Sequence, residues 1–274
     1  MIAEGARIAK TCEKKFTCAP TFGAHQVNSA YDRQVVFPAE LGKSTSKQIH
    51  GTSPTVVIPV GSTEQHGPHL PLDTDTRIAS AVAHAAAGNL RATQYPDELL
   101  VAPAVAYGAS GEHQGFAGTI SIGTRALEHL LLEFGRSAGG WARRLVFVNG
   151  HGGNVDALTA AVSRLRDEGR DVGWCPCAAT GGDAHAGHTE TSVLLHISPE
   201  TVGTDQWRAG NVAPLAELMP QMRRAGIAAV SEVGVLGDPT TATAAEGARI
   251  FADMVQACAM RIRRWTPGGD GMLR

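Results

Sequence analysis

Four short apolar runs divide this chain, and each stops at a loop rich in glycine and ionisable side chains. The runs are Thr55–Val60, Leu99–Val105, Arg144–Val148 and Val172–Cys177. Continuous apolar runs of this length read as strands covered on both faces. After each comes a stretch with apolar residues at helical spacing. Ile78, Ala79, Val82 and Ala86 predict a helix capped by Asp75 or Thr76 and ending at Gly88. Leu127, Leu130, Leu131 and Phe134 predict one near Arg125 to Ala138, and Ala157, Leu158, Ala161, Val162 and Leu165 one capped by Asn154 and closed by Gly169. Thr189 to Ile197 is helical in pattern, and Ala244 to Arg264 reads as a long terminal helix. Strands alternating with helices imply right-handed βαβ units, hence an α/β fold: a three-layer α/β/α sandwich with a mostly parallel sheet. Ligands of such sheets gather beyond the carboxyl ends of the strands. The loops starting at Gly61, Gly108, Asn149 and Ala178 are therefore expected to converge.

A chain of 274 residues is long enough for one large core. We divide it into a poorly ordered N-terminal arm over residues 1–50, whose first 30 residues show neither strand nor helix period, a catalytic domain over 51–266 and a tail over 267–274. With 24 basic against 26 acidic side chains there is no field to collect phosphates, so a nucleic-acid partner is excluded. The pairs Arg143/Arg144 and Arg223/Arg224 and the cluster Arg261/Arg263/Arg264 read as solvated helix ends. No apolar run approaches the ~20 residues of a membrane span, and the N-terminus lacks a secretory segment, so a cytoplasmic protein is expected. Five cysteines fit no disulfide framework. Cys175-Pro-Cys177 lacks the second pair that would make it half of a zinc site, and reads as thiols closing a strand.

The loops hold the chemistry. Gly61-Ser-Thr-Glu64-Gln-His66-Gly-Pro-His69-Leu-Pro-Leu-Asp73-Thr-Asp75 supplies mixed carboxylate and imidazole donors of the kind that hold Zn, Mn or Fe. Pro68 and Pro71 stiffen it. Asn149-Gly-His151-Gly-Gly-Asn154 puts a histidine directly after a strand, among glycines that allow close approach of an ion or substrate. It lacks the ending of a P-loop and the spacing of a dinucleotide fingerprint. The last loop offers Asp183, His185, His188 and Glu190, of which His185 and Glu190 are expected beside His151. Asp183 reads as a turn former and His188 as solvent-facing. Glu112 and His113, within Gly108–Gly118, read as a flexible pocket wall, with His113 open between substrate contact and structural hydrogen bonding.

The first loop motif, Asn149–Asn154 and His185-Ala-Gly-His-Thr-Glu-Thr-Ser192 resemble the three signature segments of the creatininase (creatinine amidohydrolase) family, over roughly Pro54 to Trp265. Thr52–Pro59, Gly108–Gln114 and Gly237–Gly247 are similar, within it, to the peptidases of the mycofactocin system. The resemblance implies a creatininase-like hydrolase of C–N bonds with two divalent metal ions per chain (Zn, Fe or Mn). Carried over, Glu64 and His151 would hold one ion, His66 the other, and Asp75 would bridge them. Creatininase has a glutamate two residues after the motif histidine, where this chain has Gly153, so Glu190 becomes the replacement ligand or, failing that, orients the water. His185 would be the proton donor. The implied substrate is a modified precursor peptide that loses a C-terminal Val-Tyr dipeptide, and a homo-oligomer is expected. The alternatives are an amidohydrolase of cyclic amides or formamides and, from another class, a non-catalytic metal- or anion-binding protein.

Overall fold

The computed structural model describes residues 39–274 other than 94, 96, 97 and 180. The N-terminal arm lies largely outside these residues. Its described end, 39–50, carries a 3-10 turn and the short helix α1 (Ser46–Ile49), closed by a Thr45–Gln48 capping box.

Four parallel strands form the sheet: β1 (Thr55–Val60), β2 (Leu99–Val101), β3 (Arg144–Asn149) and β4 (Val172–Pro176), in the order β2-β1-β3-β4. The register pairs Val60 with Asn149 and Asn149 with Pro176. The three longer strands thus reach their carboxyl ends side by side, so the loops they release start from one edge. Helices α2 (Thr74–Ala92), α5 (His188–Ile197) and α7 (Ala244–Arg264) cover one face, where Val57, Val101, Val146 and Val148 meet Ile78, Val82, Leu194 and Ile250. Helices α3 (Gly123–Ala138) and α4 (Val155–Asp167) cover the other, where Val56, Ile58, Leu145 and Phe147 meet Leu127, Leu131, Leu158 and Leu165. Alternate residues of each strand thus face opposite helix layers. This is the expected three-layer α/β/α arrangement. A further helix, α6 (Leu215–Ala225), lies between α5 and α7 in sequence. Among the described residues no helix is long and apolar enough to cross a membrane.

Several local expectations need correction. The strand expected over Leu99–Val105 stops at Val101, two residues before Pro103, and Val105 keeps only an isolated bridge to Val60. Helix α2 begins at Thr74, with Asp73 in the cap position, and runs through Gly88 to Ala92. A glycine inside a helix costs only about 1 kcal/mol, less than this helix gains from its buried face. Asp75 lies inside the first turn, free to face the strand ends. Asn154 precedes α4 but makes no capping bond. Its carboxamide accepts from the Ala109 N–H at 2.9 Å and donates to the Gly61 carbonyl at 3.0 Å, stitching three loops together. Cys175, Cys177 and Cys258 are free, with the Cys175 and Cys258 sulfurs 3.5 Å apart in the core. The last residues lie against β4, where the Leu273 N–H donates to the Trp174 carbonyl at 2.8 Å.

Helices α5 and α7 meet at Gly247, where an added Cβ would come 1.7 Å from the Ser192 carbonyl oxygen. Gly247→Ala is expected to push the helices apart and cost about 1–3 kcal/mol. In a domain of this size that lowers Tm by about 2–4 °C per kcal/mol, which a thermal melt reads directly.

Candidate metal centre

Loop, helix and strand end each deliver one part of a buried cluster. Glu64 and His66 come from the loop after β1, Asp75 from the first turn of α2, His151 from the end of β3, and Glu190 from the first turn of α5. Glu64 and His66 are fully buried, Asp75 and His151 nearly so, and Glu190 is half-buried.

The hydrogen bonds decide which nitrogen of each histidine faces inward. His66 Nδ1 lies 3.1 Å from the Glu64 backbone oxygen, and a carbonyl only accepts, so Nδ1 carries a proton. Its Nε2 then faces Asp75 Oδ1 at 3.1 Å and Glu190 Oε2 at 3.8 Å. His151 repeats the pattern in mirror form: Nε2 donates to the Ala109 carbonyl at 3.2 Å, and Nδ1 faces Glu64 Oε1 at 3.2 Å and Asp75 Oδ2 at 3.3 Å. A histidine tied to a backbone carbonyl through its far nitrogen is how proteins orient an imidazole toward a metal. Asp75 is thereby shared, one oxygen to each histidine. Both Glu64 oxygens and Asp75 Oδ2 are buried without a hydrogen-bond partner. Orphaned carboxylate oxygens opposite inward imidazoles form a donor set that fits divalent cations.

Charge coupling is correspondingly strong. Burial alone would lower the His66 pKa, but Asp75, with Glu190 and Glu64, pushes it up to about 10. Burial opposes His151 in the same way, yet Glu64 and Asp75 raise it well above its usual range. Burial raises Glu64, and His151 with His113 and His66 brings it well below the carboxylate range. Burial lifts Glu190 to about 7. Its Oε2 accepts the Ala186 N–H at 2.6 Å, with Ala186 held at a left-handed φ of 51°. Such a conformation is costly for a non-glycine residue and persists where its surroundings over-determine it.

His185 and His113 complete the cluster. The rings beside His185 are His66 and His113, with centroids 4.3 and 4.4 Å away, rather than the expected His151. His185 Nε2 donates to the Gln65 backbone oxygen at 2.8 Å, leaving Nδ1 toward Glu64 Oε1 at 3.7 Å. Burial and the neighbouring His66 and His113 lower its pKa well below the unperturbed value expected from sequence. Donor atoms of His185 also fall within ligand reach in two groups, with His66 and Glu190 and with Glu64 and His113. His113 is buried and hydrogen-bonded, unlike a flexible wall. The Gln65 amide, oriented by the Gly67 N–H on its Oε1, donates to His113 Nδ1 at 2.9 Å. With Nδ1 accepting, the proton of neutral His113 sits on Nε2, which lies 3.1 Å from Glu64 Oε1 without hydrogen-bond geometry. Burial lowers its pKa to about 4. Half-buried Glu112 lines the adjoining cavity, with Oε1 3.5 Å from His151 Nε2. Asp183 caps α5 by accepting the Thr189 N–H at 3.0 Å, and His188 bonds Thr241 away from the cluster.

Gln65 carries no signal of its own in the sequence. It is the residue between two donors, and nothing in its type announces that its amide and carbonyl orient two histidines. Buried His69 bonds through Nε2 to Thr191 beside Glu190, a placement equally unmarked in the sequence.

Comparison with known proteins agrees with this geometry. The creatininase family model, described as creatinine amidohydrolase, matches residues 39–262. The chain is 69% identical over 250 residues to the mycofactocin precursor peptide peptidase of Mycobacterium tuberculosis, covering 90% of this chain and all of that one. It is 28% identical to the creatinine amidohydrolase of Pseudomonas putida, over 85% of this chain and 98% of the other. Among solved structures, a mutant creatininase superposes with a TM-score of 0.69 at 26% identity, over 84% of this chain and all of that one. A manganese creatininase gives a TM-score of 0.67 at 25% identity, over 84% and 99% of the two chains. From motif, fold and near full-length similarity together, this chain belongs to the creatininase (creatinine amidohydrolase) family.

Proposed function

We propose that this chain is a dinuclear metal-dependent peptidase that removes the C-terminal Val-Tyr dipeptide from the modified mycofactocin precursor peptide. The observation that carries the metal reading is the Asp75 carboxylate divided between two inward-facing histidines. The substrate reading is supported by the high identity to a peptidase of that name.

In this reading Glu64, His151 and Asp75 hold one ion, and His66, Asp75 and Glu190 the other, the mixed N/O donors suiting Zn, Fe or Mn. Bound ions would supply a water acidic enough to ionise near neutral pH and polarisation of the scissile carbonyl. The side chains do the rest. His185 Nδ1, neutral and unbonded to backbone, takes up a proton and delivers it to the leaving amide nitrogen. His113 lies against Glu64, with Nε2 3.1 Å from Oε1, and Glu112 meets the peptide at the cavity. Exposed Tyr107 and Ile120 are drawn near each other by Thr63, which bonds both Ala106 and Ile120, and such apolar surface suits a homo-oligomer. A cytoplasmic location fits the free thiols of Cys175, Cys177 and Cys258.

The metal-loaded protein should shorten the modified precursor by one dipeptide mass, and leave the unmodified precursor and creatinine intact. Turnover of creatinine alone would overturn the substrate assignment. Metal uptake should also depend on pH. Without metal, His66 and His151 hold inward protons, which ions must displace. Affinity measured by equilibrium dialysis should rise from pH 6 to pH 8, by about tenfold per pH unit for each proton released.

A further inference from the structure

A cavity of about 830 Å³ opens over the cluster. Beside the proposed ligands Asp75 and Glu190, its acidic lining residues are Glu112 and Asp156. The end of α6 also lines it, where Met219 and Met222 adjoin Arg223 and Arg224. Histidines aside, these arginines are the only cationic residues lining the cavity among the described residues. Both are exposed, and neither makes an ion pair or hydrogen bond with another described residue, whereas Arg77, Arg136, Arg170 and Arg249 are all paired. Basic residues suit the last turn of a helix, which accounts for the charge but not for its place on this wall. The helix end lies close to the centre: an added Cβ at Gly226 would lie 2.8 Å from the Glu112 carbonyl oxygen, and Glu112 Oε1 lies 3.5 Å from His151 Nε2.

A terminal carboxylate entering this cavity is matched by guanidinium groups, which bind carboxylates in a fork. Two extended residues span about 7 Å, which the cavity accommodates, and the flexible methionines adapt to apolar side chains between the two ends. Resting on the peptidase reading above, we propose that Arg223 and Arg224 read the free C-terminal carboxylate of the substrate, so that the enzyme measures its cut from the chain end. They are specificity residues, not solvated helix ends alone.

The test uses the metal-loaded protein with the modified precursor as free acid and as C-terminal amide, and the Val-Tyr dipeptide in both forms as a binding probe. The native chain should favour the acid by about 10- to 100-fold in kcat/KM, mainly through KM, and should bind the acid dipeptide more tightly by a similar factor. In the double variant Arg223→Gln, Arg224→Gln both preferences should collapse toward unity while metal content and Tm hold. Restoring lysine at both positions should recover part of the preference. Cleavage that ignores the acid–amide difference, or a preference that survives the double variant, would overturn the inference and leave the peptidase reading standing. Selective binding of the acid dipeptide without cleavage of either precursor would do the reverse.

Discussion

Asp75→Ala is expected to empty the centre and abolish peptide cleavage together. Its two oxygens face different histidines, at 3.1 and 3.3 Å, so one substitution removes a donor from both halves. Loss of an outer-shell partner alone typically costs about 10–100-fold. A shared ligand should cost at least about 10³-fold in kcat/KM, because the remaining donors in each half are too few. Without Asp75 the inward nitrogen of His66 also loses the main group that keeps it protonated. Elemental analysis of purified protein, run beside turnover, should show ion content and activity falling in step. The variant Asp75→Asn, similar in shape, separates this loss from damage to the first turn of α2. An Asp75→Ala protein that kept two ions per chain and its turnover would sink the shared-ligand assignment.

His185→Ala is expected to behave differently, losing about 10²–10⁴-fold in kcat, as removal of a proton-transfer group does, while keeping its ions. Burial beside His66 and His113 leaves the native imidazole neutral, with one nitrogen committed to the Gln65 carbonyl and one open. That is the state in which a ring can accept a proton and pass it on. Because His185 also lies within ligand reach of two donor groups, ion content is the deciding measurement. Equal metal loss in His185→Ala and Asp75→Ala would make His185 a ligand and move proton transfer to another group.

The sequence exposed the layered fold because buried parallel strands and amphipathic helices leave separate periods, and β1 and α7 match their expected limits. The errors arose where tertiary bonds outweighed local preference. Asn154 looks like a cap, but its side chain is consumed in joining loops, and Gly88 looks like a stop but sits in a well-packed helix. Leu215, Leu218, Met219 and Met222 of α6 recur at helical spacing, but Pro220 falls inside that run and obscures the helix. Charged and imidazole side chains at strand ends announced the donor set. The tautomers did not show, because they depend on the carbonyls of Glu64, Gln65 and Ala109, and backbone oxygen atoms have no sequence signature.

Gly153 bears on more than the backbone turn. The resemblance implies a glutamate at this point in creatininase itself. Here, even a Cβ would lie 2.3 Å from the Ala109 oxygen, 2.5 Å from His151 Nε2 and 2.8 Å from Glu112 Oε1. A single codon change at 153 therefore meets a closed wall. Glycine at 153 thus leaves room for the Ala109 carbonyl that orients His151, so the loop that closes over this position and the tautomer of the metal-facing imidazole are fixed together.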